Sequence, residues 1–230
     1  MKKAEFEQLN SYMQSCMKDS AHDREHIYRV LYSALDIAAS EEDVNYDILI
    51  TACLLHDIGR QAQIEDPSLC HAEVGSEMAH DYLCSYGYGK EFADHVAECI
   101  RCHRFRKEQP PKTIEAKILF DADKLDVTGA MGVARTLLYA GRLSGPLYNL
   151  KADGSVSDGT EDTTPSFFQE YKFKLERLYD RFFTEKGKEL AAQRKKAAED
   201  LDNALLQEVR SSYESKNRLY TDILSSEGRL

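Results

Sequence analysis

Residues 48–60 read "ILITACLLHDIGR". The run is apolar on nearly every side, so it reads as a buried helix, and it ends in His56 and Asp57. Burying a charge without a partner costs several kcal/mol, on the order of a whole domain's net stability. A chain that folds around this segment must give that histidine and aspartate something to bind.

The remaining composition narrows the setting. A chain of 230 residues, 42% hydrophobic, has ample material for a core and makes one large domain or two small ones. No stretch of about 18 uncharged apolar residues occurs, so no membrane span is expected. The opening "MKKAEFEQLNSYMQ" has Glu5 and Glu7 where a signal peptide needs an apolar core, which points to the cytoplasm. The six cysteines (16, 53, 70, 84, 99 and 102) read as reduced thiols, several of them inside helical patterns. A net charge of −10 argues against a nucleic-acid partner, because such binding depends on neutralising phosphates.

The pattern is helical almost throughout. Phe6, Leu9, Met13 and Met17 mark a first amphipathic helix. A second, capped by Asp19-Ser20, carries Ile27, Val30, Leu31, Ala34, Leu35 and Ala38. A third runs from Asn45, an N-cap, to Gly59, a C-terminal stop. Val74, Met78, Tyr82 and Leu83 mark a fourth, and Phe92, Val96, Cys99 and Ile100 a fifth, which "QPPK" breaks. A sixth spans about Thr113 to Tyr139. A loop rich in Gly, Pro, Ser and Asp covers 141–166, with room for a small hairpin at Asp153-Gly154, and a helical tail follows from about Phe167 to Ser215. The expectation is an all-α single domain over 1–230, with its core at about 20–140.

Some polar residues fall on the inward faces of these helices. His26 lies close to the buried stripe of the second helix, and His56 and Asp57 end the third. On the sixth, Asp123 follows Leu119 by four and Asp126 follows Asp123 by three, whereas Asp121 and Lys124 are expected to point elsewhere. Two imidazoles and carboxylates from three helices suit a borderline or hard divalent metal with positions left for water and substrate. "CIRCH" (99–103) matches a haem-attachment pattern, but that chemistry needs an exported, oxidising setting.

In order, "HDREHIYRV", "LLHDIGR" and "DADKLD" resemble the H…HD…D signature of the HD superfamily of metal-dependent phosphohydrolases. "HAEVGSEMA" (71–79), "IRCHRF" (100–105) and "TEKGKELAAQR" (184–194) are similar to its small stand-alone bacterial branch. The resemblance implies an HD-domain helical bundle with His26, His56, Asp57 and Asp123 as metal ligands. The ion would be Mn, Fe, Mg, Ni, Co or Zn, with one or two per chain. His22 and Asp23 would form a proton-transfer or orienting pair beside Asp57. His71 and His103 would complete a second metal site or contact substrate phosphate.

The implied activity is hydrolysis of a phosphate ester or anhydride, a nucleotide first among substrates, by attack of a metal-activated water. Arg24, Arg60 and Arg104, cations set beside the site, are assigned to substrate phosphate together with Asp126. Arg101 is rotated further off the fifth helix's stripe. Two other readings stay open: a di-iron HD-fold oxygenase, and a non-catalytic nucleotide- or ligand-binding regulator. Homo-oligomerisation is compatible with all three.

Overall fold

A computed structural model describes residues 1–17, 21–104, 110–219 and 223–224, without the side chains of 21–23, 217 and 218. The expected cap at Asp19-Ser20, and Gln109 of the expected "QPPK" break, lie outside the described residues. The fold is all-α: among the described residues, extended pairing is limited to one antiparallel bridge between Leu150 and Val156. By its internal contacts the chain divides into two compact units. One comprises Met1–Asp126 with Phe182–Leu190, the other Val127–Arg181 with Ala191–Leu230.

The first unit holds α1 (Lys3–Cys16), α2 (Ala21–Ala38), α3 (Tyr46–Leu55), α4 (Arg60–Glu65), α5 (His71–Ser85), α6 (Lys90–Cys102) and α7 (Ile114–Leu125). α3 is apolar on all sides because it is central, with α1, α2, α6 and α7 packed around it. Its N-terminus forms where expected: the Asn45 side chain accepts from the backbone N–H groups of Asp47 and Ile48.

Its C-terminus does not. α3 ends at Leu55, and Gly59 instead begins α4, an element with no buried residue and therefore no apolar pattern to announce it. The glycine is required by space, since its φ of −83° suits any residue. A Cβ there would lie 2.3 Å from the His71 carbonyl oxygen and 2.6 Å from the Gly75 nitrogen. This close approach sets α4 against the start of α5, beside His71.

The expected sixth helix is two. α7 starts on its Thr113 cap and stops at Leu125. α8 (Gly129–Arg142) starts afresh at Gly129, whose φ of +65° lies in the left-handed region and interrupts the helix. α7 is also tied to the segment at 182–190. The buried Asp121 carboxylate accepts from the backbone of Phe183 and from the backbone and hydroxyl of Thr184. That threonine hydroxyl in turn accepts from Gly187 N–H at the start of α10 (Glu185–Arg218).

In the second unit, the expected continuous tail is interrupted. α9 (Phe167–Glu170) runs into a π turn at Tyr171–Leu175 and a 3-10 turn at Leu178–Asp180 before α10. The core gathers Val133, Phe167, Phe168, Tyr171, Leu175 and Ala198. The hairpin suggested at Asp153-Gly154 forms as a single-bridge turn, with Gly154 at φ +78° and Asp153 accepting from Ser155.

Asp202 of this unit is buried, one of its carboxylate oxygens has no hydrogen-bond partner, and Lys172 stands 3.8 Å from the other. Burial pushes its carboxyl up to about 6, against the pull of Lys172 and helped by Glu176 and Asp158. Between pH 4 and 6 the folded chain therefore binds more protons here than the unfolded chain, and stability falls as pH rises. Asp202→Asn should raise thermal stability at pH 7 by roughly 1–3 kcal/mol and leave it unchanged near pH 4. Parallel melting curves of the two proteins across that range check this. A constant offset at every pH would contradict it.

Candidate metal centre

Four histidines reach one buried centre of the first unit from four places. His26 comes from α2, His56 from the turn after α3, His71 from the start of α5 and His103 from the end of α6. Each has an oxygen acceptor at Nδ1. His56 faces the Cys53 carbonyl at 2.8 Å and His103 the Ile100 carbonyl at 2.6 Å. His71 faces Gln63 Oε1 at 2.6 Å and His26 faces Asp126 Oδ2 at 2.7 Å. A proton on Nδ1 satisfies these contacts and leaves the Nε2 lone pairs of His26, His56 and His103 aimed inward; at His71 the Arg104 Nη1 donor, 3.1 Å from the same Nδ1, competes with that proton.

Those lone pairs face one another. His26 and His56 Nε2 are 3.4 Å apart, and His71 and His103 Nε2 are 3.2 Å apart. Asp57 lies between the pairs. Its Oδ2 is 3.5 Å from both His26 and His56 Nε2. Its Oδ1 is 3.4 Å from His71 and 3.7 Å from His103 Nε2, is buried, and has no hydrogen-bond partner. Asp123 Oδ1 closes the first pair at 3.3 Å from His26 Nε2.

Two groups that could each hold a metal ion result: His26, His56 and Asp123, and Asp57, His71 and His103. Ligand atoms about 2.1 Å from one ion lie roughly 3.0–3.4 Å apart at octahedral or tetrahedral angles. The facing nitrogens fit that spacing, and the orphaned Asp57 oxygen lies at its edge from His71 (3.4 Å) and a little beyond it from His103 (3.7 Å), so the donor set suits divalent ions.

The electrostatics agree. Burial pushes His71 down to about 2 and His103 to about 3, aided by their cationic or imidazole neighbours, so both are neutral and ready to ligate. Burial also lowers His56. For His26 burial is outweighed by Asp123 and Asp57, which raise it: that position favours a positive charge. Asp57 and Asp123 lie well below the usual carboxylate range despite burial, held there first by Arg60 and Lys124 respectively.

Around the centre stand residues of mixed legibility. Arg60 is ion-paired to Asp57 Oδ2, and Arg104 Nη1 reaches Gln63 Oε1 at 3.3 Å, so both expected cations are beside the site. Arg24 is exposed on α2 and makes no described contact with the centre. The side chains of His22 and Asp23 lie outside the described residues. Asp126, expected to meet substrate, is instead turned inward. It accepts from His26 and, at 2.6 and 3.0 Å, from Arg29, and so orients a histidine.

Arg101 pairs with Glu98 and reaches Ser76, away from the histidines. Lys124, expected to point elsewhere, bends back to Asp123 Oδ2 at 2.7 Å. Gln63 was not legible, because a lone glutamine in a short helix without an apolar face carries no signal.

The comparisons with known proteins bear on this geometry. The HD domain family matches residues 24–128, which contain all the histidines and aspartates of the centre. The chain is 34% identical over 194 residues to the uncharacterized protein YpgQ of Bacillus subtilis, covering 82% of this chain and 85% of that one. The chain belongs to the HD-domain family.

An HD-superfamily hydrolase from Bacillus thuringiensis superposes with a TM-score of 0.67 at 26% identity, over 90% of this chain and 98% of that one. Bacillus subtilis YpgQ in complex with ADP superposes at 0.63 and 29% identity, over 91% and 94%. Family and centre together support a metal-dependent hydrolase. No helix among the described residues is long and apolar enough to cross a membrane.

Proposed function

We propose that this HD protein hydrolyses a phosphate ester or anhydride of a nucleotide, using divalent ions held on either side of Asp57. The observation that carries the reading is the Asp57 carboxylate, with one oxygen toward each histidine pair and one of them buried without a partner. His26, His56 and Asp123 would hold one ion and His71 and His103 the other, with Asp57 shared. A divalent ion in such a centre lowers the pKa of a water and polarises a phosphoryl oxygen.

The protein's own groups do the rest. Asp126, Gln63 and the two backbone carbonyls fix the imidazole tautomers, so no ring has to turn to present its lone pair. Arg60 and Arg104 set fixed positive charge where phosphate oxygens would gain negative charge. The choice of a nucleotide is supported by the ADP bound to YpgQ.

The test is a panel of nucleoside mono-, di- and triphosphates and p-nitrophenyl phosphate, offered to chelator-stripped protein with Mn, Mg, Co, Ni or Zn restored singly. Turnover is expected to be absent in the stripped protein, to return with at least one metal, and to favour a nucleotide. Binding of ADP without turnover under every metal would make the protein a regulator. Oxygen uptake with reduced iron in place of phosphate release would make it an oxygenase.

A further inference from the structure

We propose that His80, Cys84 and Asp94 form a separate metal site, for a zinc-class ion, that ties α5 to α6. His80 follows His71 by nine residues on α5, about two and a half turns at 3.6 residues per turn. It therefore leaves the helix on the face opposite the histidine of the centre. Cys84 is one turn further, at the four-residue spacing that puts two side chains on one face. Asp94 comes from α6.

The His80 imidazole is the middle of the set. Its Nε2 is 3.1 Å from Asp94 Oδ1 and 3.8 Å from Cys84 Sγ. Its Nδ1 is 3.4 Å from Asp81 Oδ1. Both ring nitrogens thus face carboxylates, but a neutral imidazole has one N–H to give. With that proton on Nδ1 toward Asp81, the Nε2 lone pair is left to the thiol and Asp94, as when a carboxylate orients a metal-bound histidine. Around a tetrahedral ion, an imidazole nitrogen lies about 3.3 Å from a carboxylate oxygen and about 3.5 Å from a thiolate sulfur. The exposed thiol reaches that spacing by turning about its Cα–Cβ bond.

The surroundings favour a cation. His80 and Asp94 line a cavity of about 630 Å³ whose walls also carry Glu77, Asp81 and Glu98. Arg101 there is paired with Glu98, and Lys90 takes Asp94 Oδ2 at 2.7 Å, so Oδ1 is the oxygen turned to His80. A thiolate selects zinc, cobalt(II) or nickel over manganese and magnesium, so hard ions that fill the nitrogen-and-oxygen centre pass this site by. On binding, the Cys84 thiol gives its proton to water. An imidazolium held between two aspartates would explain the carboxylates alone, and it gives the thiol at Nε2 no part.

The experiment titrates reduced full-length protein with cobalt(II). Thiolate-to-cobalt charge transfer absorbs intensely in the near ultraviolet, and the two groups of the centre, with nitrogen and oxygen donors only, do not produce it. Cobalt-saturated wild type should show this band and hold about one ion more per chain than Cys84→Ser, in which the band should be lost. His80→Gln and Asp94→Asn should each weaken the cobalt affinity read from the band by at least about tenfold, and Asp81→Asn by about tenfold through the orientation of His80. Equimolar zinc should bleach the band, and manganese should not.

Wild-type protein without the band, or a band that survives Cys84→Ser, would overturn the proposal. So would a band whose affinity stays within about twofold in both His80→Gln and Asp94→Asn, because the thiol would then be binding cobalt by itself. If Cys84→Ser does not fold, Cys84→Ala is read in the same way.

Discussion

Asp57→Asn is expected to lower kcat/KM by at least about a thousandfold and to deplete metal from both histidine pairs. The carboxylate faces His26 and His56 with one oxygen and His71 and His103 with the other, so a single substitution touches both groups. Asparagine keeps the shape but removes the charge and replaces one oxygen with an amide that cannot ligate. Charge stabilisation by a bound ion is worth several kcal/mol, and about 4 kcal/mol already corresponds to a thousandfold in rate.

Elemental analysis of anaerobically reconstituted protein should show close to two ions per chain in the wild type and well below one in the variant. Helical circular dichroism should be preserved, because Asp57 supports no helix end through its side chain. His103→Ala sharpens the result by touching only the second group: it should leave one ion per chain. If Asp57→Asn kept more than a tenth of wild-type activity, the shared-carboxylate reading would be wrong.

The largest loss of stability should come from Asp121→Ala, a residue outside the centre. Its carboxylate accepts from Phe183 N–H at 2.9 and 3.1 Å, from Thr184 N–H at 2.7 Å and from the Thr184 hydroxyl at 2.6 Å. Alanine would leave these donors without their acceptor in a water-poor place, and removing one partner from a buried charged network costs about 3–5 kcal/mol. For a chain of this size that is roughly 6–20 °C in melting temperature.

Asp121→Asn should lose most of the same stability, because an amide turned toward N–H groups offers one acceptor where two were used. Thermal melts followed by helical signal decide the matter. A shift under 2 °C in both variants would mean the turn at Phe183 and Thr184 is held by its other contacts, such as the edge-on packing of Phe183 against Phe120.

The sequence by itself determined the elements that announce themselves by burial. The all-apolar run from Ile48 to Leu55 could only be a central helix, and His56 and Asp57 at its end had to find partners, whatever the rest of the fold. His26 and Asp123 were legible because each sits one turn from an apolar stripe, where 3.6-residue periodicity fixes the side chain's direction. His71 and His103 were legible as candidates at helix ends.

What the tertiary structure alone decided depends on atoms distant in sequence. Helix α4 has no apolar face, so neither it nor Gln63 could be read before the close approach of Gly59 to His71 placed them. The division of the expected sixth helix came from the left-handed backbone at Gly129, which helical propensity does not reveal. Asp126 looked equivalent to Asp123 by spacing, but Arg29 and His26 claimed both its oxygens.

Lys124 was misplaced because periodicity fixes where a Cβ points and says nothing of where four further rotatable bonds carry the charge. The pairing of histidines across Asp57 was decided in the same way. Which donor atoms face each other, at 3.2 or 3.4 Å, follows from how helices cross, and that is a property of the packed core alone.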